Sequence, residues 1–301
     1  LFPFLNTPQG QESMDPEAAA PSAQVAYFKN SGDAVKTAIE SAHTGSFPTT
    51  ATQTITWSVA AADWKISMKD VDDNHFDYGT MLAKSIMTAR QTCLTAIETA
   101  VRAYLESNKT GVSSVGTNIN EVTFDAVNDI TEVANASKEL FFSKLEAIME
   151  ENDYRNNIDF VHDANLRVLA TDFANQGAGN ATNKQYQIID RFRFAKASLT
   201  KAAGQYGFGY AFPEGSVGIV TAVPKANRRG VQRALQEYST IIDPVYPGLV
   251  WGLHAYDAAE DGNKNQDIKT EFELSAHYAL QKAPLTTSDE TVIHKVALLN
   301  T

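Results

Sequence analysis

Apolar and polar positions alternate twice between Thr54 and Lys69. Ile55, Trp57 and Val59 interleave with Thr54, Thr56 and Ser58, and Trp64, Ile66 and Met68 interleave with Lys65, Ser67 and Lys69. Period-2 runs of this kind are strands, and the short Ala/Asp connection between them predicts a β-hairpin. A lone hairpin is marginal in water, so its two tryptophans need a surface to lie on, either the body of their own subunit or a neighbour. From Thr80 to Ser107 the period changes. Leu82, Ile86, Ala89, Cys93, Ile97, Val101 and Tyr104 recur every three or four residues with no proline, which predicts an amphipathic helix roughly 40 Å long. Phe124, Val127, Ile130, Ala134, Phe141, Leu145 and Ile148 predict a second helix over Thr123–Glu150, with Thr123 as its cap. Beyond Asn165 the texture turns mainly β. ANQGAGNATNKQ reads as a polar loop and IIDRFRFAKASLT as a strand with Ile189, Phe192 and Phe194 on its face. NRRGVQRALQEYST reads as a short helix and DGNKNQD as a loop tip. Strands are expected in DPVYPGLVWGLHAYDA, in KTEFELSAHYALQKAPL and in TVIHKVALL.

The segment GYAFPEGSVGIV, Gly209 to Val220, has both the glycine density of a phosphate loop and the alternation of a hairpin. A dinucleotide fingerprint requires a third glycine where Phe212 stands, and a helix cannot open at Pro213. GAGNATNKQ fails the Walker spacing, and Ser216 has Glu214 where a nucleophile elbow needs glycine. Phe208, Tyr210 and Phe212 alternate into a Pro-Glu-Gly-Ser turn, and Val217, Ile219, Thr221 and Val223 alternate away from it. A hairpin is expected.

Composition narrows the function classes. The chain has 301 residues, enough for one large or two modest domains, and a net charge of -11 from 36 acidic and 25 basic side chains. The longest basic run is Arg228-Arg229, so gripping a phosphate backbone is disfavoured, although enclosing nucleic acid is not. One cysteine, Cys93, excludes an internal disulfide framework and fits a reducing cytoplasm; on the apolar stripe it is expected to be buried and inert. No apolar run approaches the roughly 18–20 residues that span a bilayer. LFPFL is too short for a signal-peptide core. The chain begins at Leu1 instead of Met, which fits either proteolytic removal of a preceding segment or a chain expressed without it.

The chemistry-bearing residues do not assemble into a motif. An EF-hand started at Asp70 would need glycine and glutamate where His75 and Met81 stand; Asp72, Asp73 and Asp77 instead suit the N-terminus of the long helix, where negative charge is favoured. His254, His277 and His294 are scattered, and one cysteine cannot complete a Cys-rich zinc site. No catalytic, cofactor or metal residues are assigned, and the chain is read as a non-enzyme.

The order of elements resembles the HK97-fold major capsid proteins of tailed phages. The resemblance rests on the weakly structured arm NTPQGQESMDPEAAAPSAQ, the projecting TITWSVAAADWKISMKD, and the helix HFDYGTMLAKSIMTARQTCLTAIETAVRAYLE. NDYRNNIDFVHDANLRVLA is similar to the peripheral-domain segment, with Asp163-Ala164 where relatives often carry proline. FRFAKASLTKAAGQYGFGYAFPEGSVGIVTAVPKANRRG is similar to the axial strand pair, and ELSAHYALQKAPLTTSDETVIHKVALL to the closing strands. The resemblance implies an α+β, HK97-like fold: an N-terminal arm over 1–24, an extended β-hairpin loop over 25–75, a spine helix and peripheral domain over 76–164, an axial domain over 165–262 and closing strands over 263–301. It implies a structural protein that self-assembles, through hexamers and pentamers, into an icosahedral shell around double-stranded DNA. Portal and scaffolding or decoration proteins are the expected further partners, with no membrane, and the location is the virion after assembly in the host bacterial cytoplasm. Trp57, Trp64 and Lys65 are the candidate subunit-interface residues. An encapsulin-like compartment shell, a tail-associated binding module and a hydrolase with an unrecognised site are the alternatives.

Overall fold

The computed structural model describes residues 22–29, 49–67, 77–111, 118–151, 154, 157–178, 191–222, 236–246, 248–258, 269–283 and 292–300. In chain order the strands are β1 Ser22–Lys29, β2 Thr49–Thr56, β3 Ser58–Ser67, β4 Val122–Asp125, β5 Ile130–Val133, β6 Ile158–His162, β7 Phe192–Lys196, β8 Gln205–Pro213, β9 Val217–Ala222, β10 Gln236–Ile242, β11 Val250–Ala258, β12 Lys269–Lys282 and β13 His294–Leu299. The helices are α1 Tyr78–Ser107, α2 Phe141–Glu151 and α3 Ala164–Ala178, with a 3-10 turn at Asn135–Leu140 leading into α2.

Three sheets form. β1 and β2 pair antiparallel as a ribbon, Ser22 opposite Thr56 and Lys29 opposite Thr49. A five-stranded antiparallel sheet runs β10-β11-β12-β3, with β9 on the far end of β12. A six-stranded mixed sheet runs β4-β5-β13-β8-β6-β7. Helix α1 lays its stripe of Ala89, Cys93, Ile97, Val101 and Leu105 into a core shared with Leu274, Ala276 and Trp251 of the first sheet and Phe208, Tyr210, Phe212, Val161 and Ala297 of the second. On the opposite face of the six-stranded sheet, Phe160, Phe192, Ala211, Val296 and Leu298 pack on Phe141, Phe142, Leu145 and Ile148 of α2 and Leu166 of α3. Neighbouring residues of β8 thus feed opposite cores. A strand covered on both faces reads as a nearly continuous apolar run, as GFGYAF does.

Several expectations change. The expected hairpin does not reverse between Val59 and Trp64: Ser58–Ser67 is one strand, paired along β12 from Tyr278 opposite Ser58 to Lys269 opposite Ser67. The reason is visible in the alternation, since the frame of Trp64 and Ile66 runs straight back through Ala62 to the buried Ala60. Ala-Ala-Ala-Asp offers no residue that reverses a chain, whereas β12 offers a long edge. The preceding run pairs with β1 instead. Thr123–Glu150 is α-helical only from Phe141, after the 3-10 turn at Asn135–Leu140; before these stand β4 and β5 around a turn, because Val122, Thr123, Ile130, Thr131 and Val133 are β-branched. Thr123 is a strand residue and not a cap. Val127, placed on the apolar stripe by its spacing, is 91% exposed at the turn. ANQGA, read as loop, closes α3, and the QEYST end of the expected NRRG helix is strand β10. DGNKNQD, residues 1–21 and Asp70–Phe76 lie outside the described residues.

The GYAFPEGSVGIV question has a third answer. Ser216 N donates to Pro213 O at 3.0 Å around Gly215, whose φ of 83° lies in the left-handed region. The turn is there, but β8 and β9 do not pair: β8 joins β6 and β13, while β9 joins β12. It is a corner between two sheets. Gly209 serves close packing, since a Cβ there would lie 2.6 Å from the Phe160 ring and 2.8 Å from Val161 O.

Candidate assembly surface and internal anchors

Trp57 stands alone between β2 and β3, where the ribbon leaves the five-stranded sheet, and is half-buried. Gln53 ties the ribbon's root to β12 through Nε2 to Lys282 O at 3.3 Å. Trp64 lies inside β3, stacked on Phe272 with ring centroids 5.3 Å apart and planes 12° from parallel, and packs against the α1 core. Lys65 points to the other face of the strand, largely exposed, and pairs with Glu271 across the β3–β12 seam. Trp64 thus packs within its own subunit while staying, like Trp57, only partly buried, and Lys65 keeps most of its surface.

The groups weighed for chemistry stay apart. His254 on β11 faces Glu273 in register, His277 on β12 faces Val59 and Ala222, and His294 sits buried in the other sheet opposite Ala211. Among the described residues no three His, Cys, Asp or Glu side chains gather as a metal site. Burial, with the charge of Glu273, pushes the Cys93 thiol up to about 11, and its Sγ lies 3.8 Å from Leu274 O. Asp77 caps α1, accepting from Thr80 N at 2.7 Å and from Thr80 Oγ1 at 3.0 Å, and the backbone bond lowers its pKa.

The polar residues that matter most were not singled out by motif. Arg90, one residue along from the stripe position Ala89, is buried and donates to Asp243 through Nε at 2.6 Å and Nη2 at 2.8 Å. Asp243 also accepts Trp251 Nε1 at 3.0 Å and the backbone N–H groups of Val245 and Tyr246, each at 2.9 Å. Burial alone would raise this carboxyl, yet these donors hold it well below the ordinary range. The cluster clamps α1 to the β10–β11 loop. Near the C-terminal end of α1, burial likewise opposes ionisation of Glu106, but Lys109, Tyr210 and Lys295 bond to it and hold it at about 2. A charged residue one place off an apolar stripe was the available signal for Arg90.

Asp159 on β6 is the opposite case. It is fully buried, and Arg193 Nε stands 3.0 Å from its Oδ1 without making a hydrogen bond. Desolvation raises it, Arg193 pulls it down, Glu214 pushes it up, and it rests at about 6. Because the folded value lies above the unfolded one, near 3.9, folding favours the protonated form. The contribution of Asp159 to stability should rise as pH falls from about 6 to 4, and the ionised group should cost about 3 kcal/mol above that window. Asp159→Asn is expected to raise the urea midpoint at pH 8 and leave it unchanged at pH 4.

No protein-family model matches the chain, and no curated protein sequence does. Solved structures do. A chain from Mycobacterium phage Adephagia is 12% identical, with 94% of this chain and 86% of that one covered and a TM-score of 0.52. The asymmetric unit of the bacteriophage PhiM1 mature capsid is 14% identical over 94% and 83%, TM-score 0.47. The capsid of the native GTA particle is 16% identical over 93% and 86%, TM-score 0.47. The Adephagia likeness runs through nearly all of both chains, and it is one of architecture: this chain shares its mixed α/β fold with that phage chain.

Proposed function

We infer that the chain is a major capsid protein that self-assembles into the shell enclosing a phage double-stranded DNA genome. The observation that carries this is the whole-chain likeness of fold to the Adephagia phage chain. It is joined by the resemblance in element order and short phrases to HK97-fold capsid proteins and by the β1–β2 ribbon, which forms a two-stranded sheet of its own, tied to β12 at Gln53. In this reading residues 1–24 are the arm, 25–75 the extended loop, 76–164 the spine helix with the peripheral domain, 165–262 the axial domain and 263–301 the closing strands. Copies associate as hexamers and pentamers, with portal and scaffolding or decoration proteins as further partners, and the chain works without catalysis in the virion. A shell subunit needs elements that gain more by covering a neighbour than by standing in water, and a half-buried tryptophan at the root of a ribbon is one.

Negative-stain microscopy of the purified protein tests the reading. Hollow closed particles are expected; a solitary species at every concentration overturns it. Within it, Trp57→Ala should leave the melting temperature near the wild-type value while sharply lowering particle yield by sedimentation. Trp64→Ala should instead destabilise the subunit by about 3 kcal/mol, since it removes a ring packed on Phe272. Equal loss of fold in both variants would place Trp57 in the core as well.

A further inference from the structure

Two features at opposite corners of the six-stranded sheet complement each other. The first is the turn between β4 and β5. Asp125 Oδ1 accepts from Val127 N at 2.9 Å and Asn128 N at 3.3 Å, Asn128 Nδ2 donates to Asp125 Oδ2 at 2.7 Å, and Asp129 holds a left-handed φ of 51°. These bonds make the turn a stiff knob. Its point is Val127, an apolar residue 91% exposed where a polar one would cost nothing, flanked by the carboxylates of Asp125 and Asp129. The second is a groove of about 300 Å³ between α3 and the end of β7, lined by Ala164, Arg167, Val168, Thr171, Asp172 and Lys196. Val168 is 55% exposed within it. Two cations against one carboxylate leave the groove positive in a chain whose net charge is -11.

The knob cannot enter the groove of its own chain. β4 and β7 are the two outer strands of the sheet, separated by roughly 24 Å at about 4.8 Å per strand. β5, β13, β6 and β7 run in one direction, and the turn precedes β5 while Lys196 ends β7, so the features also lie at opposite ends of the strands. A protrusion on one side and a recess on the other form a heterologous pair, and such contacts close into rings when the rotation between copies allows.

We propose that the Asp125–Asp129 turn of one copy seats in the Arg167–Val168–Lys196 groove of the next, Val127 against Val168 and the turn's carboxylates against the two cations. This rests on the assembly reading and names a surface through which it operates. The occupant is a second copy because the acidic, apolar-pointed knob that suits a basic, apolar-floored groove is present on every chain. The preorganised turn loses little freedom on docking. A single seat is weak, but repetition around a ring multiplies it.

The direct test is cross-linking of the full chain carrying Val127→Cys and Val168→Cys, treated with a short bis-maleimide at neutral pH. Cys93, buried with its thiol raised to about 11, does not compete. A ladder of linked oligomers is expected from the double variant and none from either single variant. In parallel, Val127→Lys should reduce closed particles about tenfold by placing a cation against Arg167 and Lys196, and adding Lys196→Glu should restore most of the yield. Circular dichroism should be unchanged throughout. Closed particles without a ladder, or a Val127→Lys protein that assembles as wild type, overturn the contact and leave the assembly reading standing. A ladder without closed particles keeps the contact and overturns the shell. Neither ladder nor particles overturns both.

Discussion

Asp243→Ala is expected to lower the stability of the subunit by about 3–5 kcal/mol, measured as a shift of the urea midpoint at neutral pH. The change leaves the buried Arg90 guanidinium without its bidentate partner and strips Trp251 Nε1 and the N–H groups of Val245 and Tyr246 of their acceptor. Each orphaned donor retains its desolvation cost after its bond has gone. Arg90→Met with Asp243→Leu should cost less than Asp243→Ala alone, because it leaves no uncompensated charge, although Trp251 Nε1 and the Val245 and Tyr246 N–H groups lose their acceptor in both. The pH dependence carries its own sign. The folded pKa of Asp243 is depressed, so its contribution is complete above the unfolded value of about 3.9 and is lost as pH falls towards the folded one. Wild type should therefore lose more stability below pH 4 than the double variant. Equal urea midpoints for Asp243→Ala and wild type would mean that the clamp does not hold α1.

How much of this was legible in the sequence depends on the range of the interaction. Helix α1 was readable because its signal is internal: the stripe from Ala89 to Val101 obeys one period and Asp77 marks its start. Strands β12 and β13 were readable from alternation and from apolar content. Where pairing is non-local, the sequence carries the strands but not their partners. Trp64's strand and the segment before it share alternation, yet one joins β12, more than two hundred residues on, and the other joins β1. The corner at Gly215 has the residues of a hairpin turn, and only the two sheets waiting on either side decide that β8 and β9 separate. In Val122–Val133 the 3.6-residue spacing of Phe124, Val127 and Ile130 mimics a helix, while in the structure β-branching and the Asp125 turn prevail. The groove was invisible for the same reason, since Arg167 and Lys196 belong to different elements joined only by folding. Val127 carried a signal once the hairpin is known: an apolar side chain between Asp125 and Asp129 at a turn has no core to enter.

The largest effect is expected from Ile97→Asp, which should unfold the subunit, with a cost above about 4 kcal/mol. Ile97 is fully buried at the centre of α1, with Cys93 and Val101 one turn away on either side and both sheets contributing to the core around it. The substitution removes apolar volume and introduces a carboxyl into a cluster of apolar side chains. The group would either ionise without a partner or take a proton, and both carry a penalty. Position matters more than chemistry here. Thr95→Asp, two residues earlier on the exposed face, should move the urea midpoint by no more than about 0.5 kcal/mol, and Ile97→Val, which keeps the site apolar, should cost about 1 kcal/mol. Far-UV circular dichroism and limited proteolysis separate the outcomes: loss of signal and rapid cleavage for Ile97→Asp alone. A protease-resistant, helical Ile97→Asp protein would mean that α1 is not the element on which the two sheets close, and the shared core described for it would have to be abandoned.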